Sequence, residues 1–441
     1  MLIEFSAKNY RSIKEKQTFS MKASPYDKDK AFQGEDKLRH REIGKYKISL
    51  LPVTAIYGAN SSGKSNLLSA MWTMRDIILS SSKSNSTDKL RIDTFALDEN
   101  YLDEPTEFEA SFFLNDRIYR YGFAYTRNEI KREWLYERTR IKEQELFIRD
   151  NDKITIGKNF KEGNGKESMV SPNRLFLALV DFLNGEISTK ILKWFKHFNI
   201  ISGTFNKNFR DYSIDLLLKK DGKTNASKEF LKQMDLGFSE LNPGEQDIDE
   251  SIFPPNIPQK VKENFLKEHA NEKIRFLESI HTFHHKDGTT SQKTFDSGEM
   301  ESEGTIKILD LSGPIINTLV NGYTLAIDEL DAKLHPLLTQ KIIDIFNSGS
   351  GNPYNAQLIF ATHDTNLLNN KILRRDQICF VEKDKADESS KLKRLSDIES
   401  KSGEFHKIRR DRIFEKDYLS EKYVALPNVS KGFDLIEAMN R

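Results

Sequence analysis

One cysteine, Cys379, stands alone among 441 residues. A lone thiol closes no disulfide within the chain and builds no cysteine-rich zinc site, so a reducing compartment fits. Net charge is nearly absent too. Lys and Arg number 68 against 67 Asp and Glu, a formal +1. That balance excludes a globally basic nucleic-acid coat and an acidic tail protein, while leaving room for a local basic patch. No stretch approaches the ~18 uncharged apolar residues of a membrane helix. Residues 1–10 alternate apolar and polar side chains around Glu4, without the basic and apolar regions of a secretion signal. The expectation is a cytoplasmic protein with no membrane contact of its own. Internal repeats are missing, and so is any sustained heptad run, which argues against a long coiled-coil arm.

Charge and length are what the chain has. Charged residues make up 31%, above the ~25% of an average soluble domain. At ~100–200 residues per domain, the length suggests two or three units, or one large unit with insertions. The apolar run 48–57 reads as a buried strand ending at Gly58, and a helix is predicted over 64–79. Residues 80–88 form a Ser-rich connector. Between 106 and 156 the period changes to two: Phe108, Ala110, Phe112 and Leu114 alternate with polar residues, as do Tyr119, Tyr121, Phe123 and Tyr125. That pattern predicts an antiparallel sheet with one wet face. Residues 172–200 read as helical, and Pro243-Gly244 and Pro254-Pro255 as loops. A strand is expected over 275–285. A helix is expected over 305–320, which Gly313-Pro314 should kink or break. Strands over 323–327, 357–362 and 377–381 alternate with a helix over 332–346. The alternation in both terminal thirds is that of an α/β protein with a parallel sheet and crossover helices.

Three short segments carry chemistry. Gly58-Ala59-Asn60-Ser61-Ser62-Gly63-Lys64-Ser65 satisfies G-x-x-x-x-G-K-[ST] in full, after a strand and before a helix. Such a loop wraps a phosphate with backbone N–H groups from Asn60 to Asn66 and presents a helix N-terminus to it. Lys64 would reach the β- and γ-phosphates of ATP, and Ser65 would ligate Mg²⁺. Leu325-Ala326-Ile327-Asp328-Glu329 is an apolar strand ending in two acids. Beside a phosphate loop, Asp328 would hold Mg²⁺ through water and Glu329 would polarise the attacking water. Alone, the pair would read as a solvated strand end. Leu358–Asp364 is a second apolar strand with a polar end, which puts His363 at the edge where open α/β sheets bind ligands.

Together these segments resemble ABC-type ATPase heads of the SMC/RecF/OLD kind. Glu301-Ser302-Glu303-Gly304-Thr305 resembles their divergent signature, in which Ser302 and Gly304 would offer a helix N-terminus to the γ-phosphate across a dimer interface. Leu330-Asp331-Ala332-Lys333-Leu334-His335-Pro336 looks like the D-loop. Asn9-Tyr10-Arg11-Ser12-Ile13 is similar to the opening segment of such heads, which adds Arg11 to the nucleotide-binding set. The closest resemblance is to the AbiL/RloA-type abortive-infection ATPases, relatives of the PARIS defence-system ATPase. It rests on Gln377–Lys383, Leu395-Ser396-Asp397 and the segment 418–427, and fades across 206–275. No Q-loop glutamine stands in the expected region, which Phe95-Ala96-Leu97-Asp98 occupies. The signature is not the Leu-Ser-Gly-Gly-Gln of transporters. Past Glu382 and Asp384 no apolar strand ends in Asp-x-Asp, so a nuclease of the OLD type is not expected in this chain.

The resemblance implies a P-loop ABC-type ATPase head with an inserted antiparallel β-subdomain and a helical lobe. Its parts would be 1–105 with the phosphate loop, 106–170 as the β-subdomain, 171–275 as the helical lobe, and 276–441 with signature, acidic strand end and histidine. It also implies a homodimer sandwiching ATP, with higher homo-oligomers allowed, and an ATPase that senses infection and controls a separate toxic or nuclease-like effector. A phage-encoded trigger and DNA are the further partners it allows. A RecF/SMC-like ATPase of DNA repair or chromosome maintenance and an ATP-dependent scaffold with little turnover are the alternatives. His281-Thr282-Phe283-His284-His285 reads as the wet face of a strand rather than a metal site. The basic cluster 407–412 reads as a solvated helix face, and Trp194, Phe195 and Phe198 as packing residues.

Overall fold

The structure, a computed structural model, describes residues 1–25, 38–140, 142–204, 207–219, 221–254, 256–269, 273–398 and 414–423. The basic cluster 407–412 lies outside them. A six-stranded sheet positions the candidate site. Its strands are β1 (Val53–Tyr57), β2 (Phe198–Ser202), β3 (Thr324–Asp328), β4 (Gln357–Ala361), β5 (Ile378–Lys383) and β6 (Ser390–Arg394). In space they run β2-β3-β4-β1-β5-β6. All are parallel except β6, which returns antiparallel to β5. Every residue of β1 and β4 is buried, as expected of parallel strands covered on both faces. Ile56 stands opposite Ala361, Ile327 opposite Phe360, and Ser202 opposite Asp328. The C-terminal ends of β1, β3 and β4 therefore finish level, along one edge.

A second, seven-stranded antiparallel sheet runs in the order Lys153–Ile156, Glu143–Asp150, Ile130–Arg138, Arg117–Tyr125, Thr106–Leu114, Leu2–Lys8, Gln17–Ser20. The two outermost N-terminal strands make the sheet larger than the 106–156 alternation alone predicts. Helix α1 (Lys64–Ser80) lies between the sheets. Its Leu67, Met71 and Met74 share one apolar cluster with Phe108, Phe112 and Tyr121 of the antiparallel sheet and Ala326 and Ile359 of the parallel one. The opposite face of the parallel sheet packs on α2 (Glu303–Asn321) and α3 (Pro336–Asn347), through Ile308, Leu311, Ile315, Ile342 and Phe346. Each such buried apolar side chain contributes ~1.5–3 kcal/mol relative to exposure. Trp194 stacks on Phe112 at 4.0 Å between centroids, so it packs as its spacing predicts.

Several elements differ from the sequence reading. The apolar run 48–57 is two strands: Tyr46–Leu50 pairs with Arg39–Ile43, and β1 begins after Pro52. Residues 198–202 are the strand β2, not the end of a helix, so the parallel sheet draws on the 171–275 segment as well. Pro243-Gly244 lies inside a strand, Glu240–Asp247, at the edge of a three-stranded sheet, where a proline costs no ladder hydrogen bond on its open side. Gly244 faces the Phe276 ring, which a Cβ would strike. Helix α2 runs unbroken through Pro314. The proline leaves the Asp310 carbonyl without its helical donor, and the Ser213 hydroxyl donates to it at 2.8 Å.

Candidate active site

The phosphate loop leaves β1 at Gly58, where a Cβ would strike the Val381 carbonyl oxygen. Ser61 and Gly63 take left-handed backbone conformations, at φ 61° and 107°. These turn the chain so that α1 starts at Lys64. A Cβ on Gly63 would strike Ser390 Oγ and lie 2.7 Å from Ser12 Oγ. Those two hydroxyls bracket the loop. Ser390 Oγ is 2.6 Å from the Ser62 carbonyl and 2.8 Å from Ser12 Oγ, to which Asn66 Nδ2 also donates at 2.7 Å. Residues 12 and 390 thus clamp the loop from opposite ends of the sequence. Asn60, Ser61 and Ser65 are exposed.

Lys64 is buried and folded back on its own loop, donating to the carbonyls of Gly58 at 2.8 Å and Ala59 at 3.1 Å. Burial pushes its ammonium pKa down, while Asp328, Glu329 and Asp331 pull it back up. Neutral carbonyls are weaker partners for a cation than phosphate oxygens, so this lysine is poised to exchange them for an anion.

Strand β3 delivers the acids. The Asp328 carbonyl accepts from Gly203 N at 2.6 Å. Glu329 follows at φ 56°, a conformation costly for a residue with a Cβ and frequent at functional sites. Asp328 Oδ1 and Asp331 Oδ1 are buried with no hydrogen-bond partner, while Asp331 Oδ2 accepts from His363 N at 3.2 Å. The two buried oxygens and the exposed Ser65 hydroxyl are hard oxygen donors of the kind Mg²⁺ takes alongside phosphates, so these residues fit that ion. His363 keeps a solvent-accessible ring. Desolvation and the neighbouring Lys64 charge hold its pKa below the usual 6.5, against the opposing pull of Asp331, Glu329 and Asp328. The edge therefore gathers Lys64, His363 and three carboxylates from β1, β3, β4 and the loops that follow them.

Ser302 caps α2, accepting from Thr305 N at 3.1 Å. A Cβ on Gly304 would lie 2.8 Å from the Lys333 carbonyl oxygen, and Lys333 pairs with Glu303 at 3.2 Å. The signature-like turn thus abuts the D-loop-like segment of its own chain. The Arg11 guanidinium pairs with Asp93 at 3.1 Å, and its backbone N–H donates to the Asp93 carbonyl at 2.7 Å. Its neighbour Ser12 is what touches the phosphate loop. His281 pairs with Glu301 at 2.9 Å.

Four residues that sequence reasoning did not place in the site belong to its frame: Ser12, Asp331, Ser390 and Lys307. Lys307 is buried on α2 and donates to the carbonyls of Glu329 at 3.1 Å, Leu330 at 2.8 Å and Ala332 at 2.6 Å. Desolvation brings its pKa down to about 8, against the pull of Asp331 and Glu329. The available signal was a cation inside the apolar run Ile306–Leu309.

No curated protein sequence matches the chain. Among solved structures it is similar to an Smc head bound to the C-terminal winged-helix domain of ScpA, at 14% identity over 89% of this chain and 97% of that one, TM-score 0.44. It is similar to the SMC head domain of Thermotoga maritima, at 13% identity over 89% and 98%, TM-score 0.40. A third likeness is the recombination mediator RecF with ATP, at 13% identity over 82% and 93%, TM-score 0.31. The sequence family described as "AAA domain, putative AbiEii toxin, Type IV TA system" matches residues 53–369. Among the described residues no helix is long and apolar enough to cross a membrane. With the match spanning most of the chain, from the phosphate loop past His363, the protein belongs to this family of AAA-domain proteins.

Proposed function

We propose that the chain binds and hydrolyses ATP, closes on a second copy of itself when ATP is bound, and in that state controls a separate effector in bacterial anti-phage defence. The observation that carries the catalytic half is the level meeting of the phosphate loop, Asp328-Glu329 and His363 at one sheet edge. Lys64 gives up the Gly58 and Ala59 carbonyls for phosphate oxygens, and the loop N–H groups with the start of α1 hold the rest of the anion. Ser65 and Asp328 would hold Mg²⁺, which when bound neutralises charge developing on the phosphates. Glu329 orients the attacking water and accepts its proton. His363, neutral at pH 7, donates or accepts one hydrogen bond beside the transferred group. Ser302 and Gly304, at the start of α2, serve the second copy's nucleotide, as the resemblance of this turn to the signature implies.

The defence half is supported by the family description, which names a toxin of a toxin–antitoxin system, and by the likeness of the chain's ending to abortive-infection ATPases. Native mass spectrometry in Mg-ATP, on protein purified gently from cells expressing its natural neighbourhood, tests it. The proposal expects a homodimer with two nucleotides and a stoichiometric companion that is shed when a trigger is supplied. A bare dimer that binds duplex DNA in a salt-dependent way would overturn the effector reading and move the ATPase to DNA maintenance.

A further inference from the structure

Helix α2 and the loop after β3 are joined by one buried cation. Lys307 lies three residues past Gly304, on the helix that Ser302 caps. Its ammonium has three N–H donors and no acceptor. All three find backbone carbonyls, of Glu329, Leu330 and Ala332, between 2.6 and 3.1 Å. A buried ammonium is costly unless hydrogen-bonded in this way. Its partners are three carbonyls of one short loop. Their carbonyls point in at Lys307, and the same loop carries the unpartnered Asp331 Oδ1 and the left-handed backbone of Glu329. The loop is held as well by Leu330 N on the Ala361 carbonyl at 3.2 Å, Leu334 N on the Asp331 carbonyl at 3.0 Å, His363 N on Asp331 Oδ2 at 3.2 Å and the buried Leu330 side chain. A left-handed glutamate persists only where its surroundings over-determine it. Lys307 supplies three of those restraints from a single atom.

We infer that Lys307 is a positioning residue: by gripping the carbonyls of Glu329, Leu330 and Ala332, it sets the direction of the Glu329 carboxylate and transmits movement of the signature-bearing helix to it. The inference rests on the proposed role of Glu329 and deepens it. A nucleotide contact at Ser302 and Gly304 displaces the start of α2. Lys307, one turn along, carries that displacement to the backbone of the acid serving its own chain's nucleotide. Hydrolysis at one site is thereby made conditional on engagement of the other. Displacing a catalytic group by ~1 Å can cost ~100-fold in rate, so a rigid three-point grip is a sufficient device.

The test compares full-length wild type with Lys307→Met, which keeps the stem and removes the donors, and Lys307→Gln, which keeps two donors. ATP turnover is measured alongside the affinity for a fluorescent ATP analogue. The expected result is a fall in kcat of about 30–300-fold, within the range that misplacement of a catalytic group produces, with affinity changed by less than about threefold. In a Glu329→Gln background the Lys307 change should add almost nothing to the loss, because the group it positions is already gone. Unchanged kcat in both variants would overturn the inference, as would parallel loss of binding and turnover. Failure of both variants to fold would assign Lys307 a structural role only and overturn it equally. If Glu329→Gln itself leaves turnover intact, the proposed role of Glu329 fails instead, and the two failures remain distinguishable.

Discussion

Gly63 holds the phosphate loop in a conformation that no other residue reaches at low cost. Its φ of 107° and the hydroxyls of Ser390 and Ser12 both exclude a Cβ. Gly63→Ala should lose about 2 kcal/mol or more of stability, read as a fall in thermal midpoint, together with most nucleotide affinity. His363 offers a pH test. Its folded pKa lies below 6.5, so its ring is neutral throughout the range above that value. Turnover should be flat between pH 7 and 8, and any acid limb due to this residue should fall below about pH 6.5 and vanish in His363→Gln. The sign for stability follows. The unfolded imidazole takes up its proton at a higher pH than the folded one, so this group's contribution is full above 6.5 and is lost as pH falls through the folded value. An acid limb unchanged in His363→Gln would remove the histidine from the site. At this scale the sequence was most informative for the phosphate loop, whose spacing is dictated by phosphate geometry. It did not bring Ser12 and Ser390 together, because they meet only where β6 returns beside the loop.

At the scale of elements, α2 shows how an internal proline is tolerated. The Ser213 hydroxyl, from a neighbouring helix (Lys207–Leu218), donates to the Asp310 carbonyl that Pro314 strands, and accepts from Gly313 N at 3.0 Å. Ser213→Ala removes the hydroxyl that serves both groups, and should cost ~1–3 kcal/mol. Equilibrium denaturation checks this; an effect under 0.5 kcal/mol, the usual ceiling for changes away from such features, would mean water replaces the hydroxyl. Sequence alone predicted a kink or break here because it shows the missing N–H and not the serine 101 positions upstream. The strands β1, β3, β4 and β5 were legible as apolar runs bounded by polar ends. β2 was not, since Phe198–Ser202 directly follows the helix Glu186–Lys196 and continues its apolar content. Lys307 showed as an oddity in an apolar stripe, while its three carbonyl partners are set by tertiary packing.

Across the whole molecule, distant parts of the chain are tied at a few buried polar points. Gln357, fully buried on β4, accepts from Leu2 N at 2.6 Å and donates to the carbonyls of Leu2 at 3.0 Å and Leu51 at 3.1 Å. One side chain thus joins the antiparallel sheet, the parallel sheet and the strand entry at residue 51. Gln357→Leu should destabilise by about 3 kcal/mol, through several stranded backbone groups. About 3 kcal/mol should lower the thermal midpoint of a chain this long by roughly 3 °C; a midpoint within 1 °C of wild type would contradict it. The same joining brings the phosphate loop and the acids, more than 260 residues apart in sequence, to one edge. The most direct test of the account is phosphate release by wild type and Glu329→Gln in Mg-ATP, with bound nucleotide and mass measured on the same samples. The account predicts that Glu329→Gln loses at least ~100-fold in rate yet retains ATP and accumulates as a dimer, whereas Lys64→Ala binds little nucleotide and stays monomeric. Hydrolysis by Glu329→Gln at the wild-type rate would contradict it.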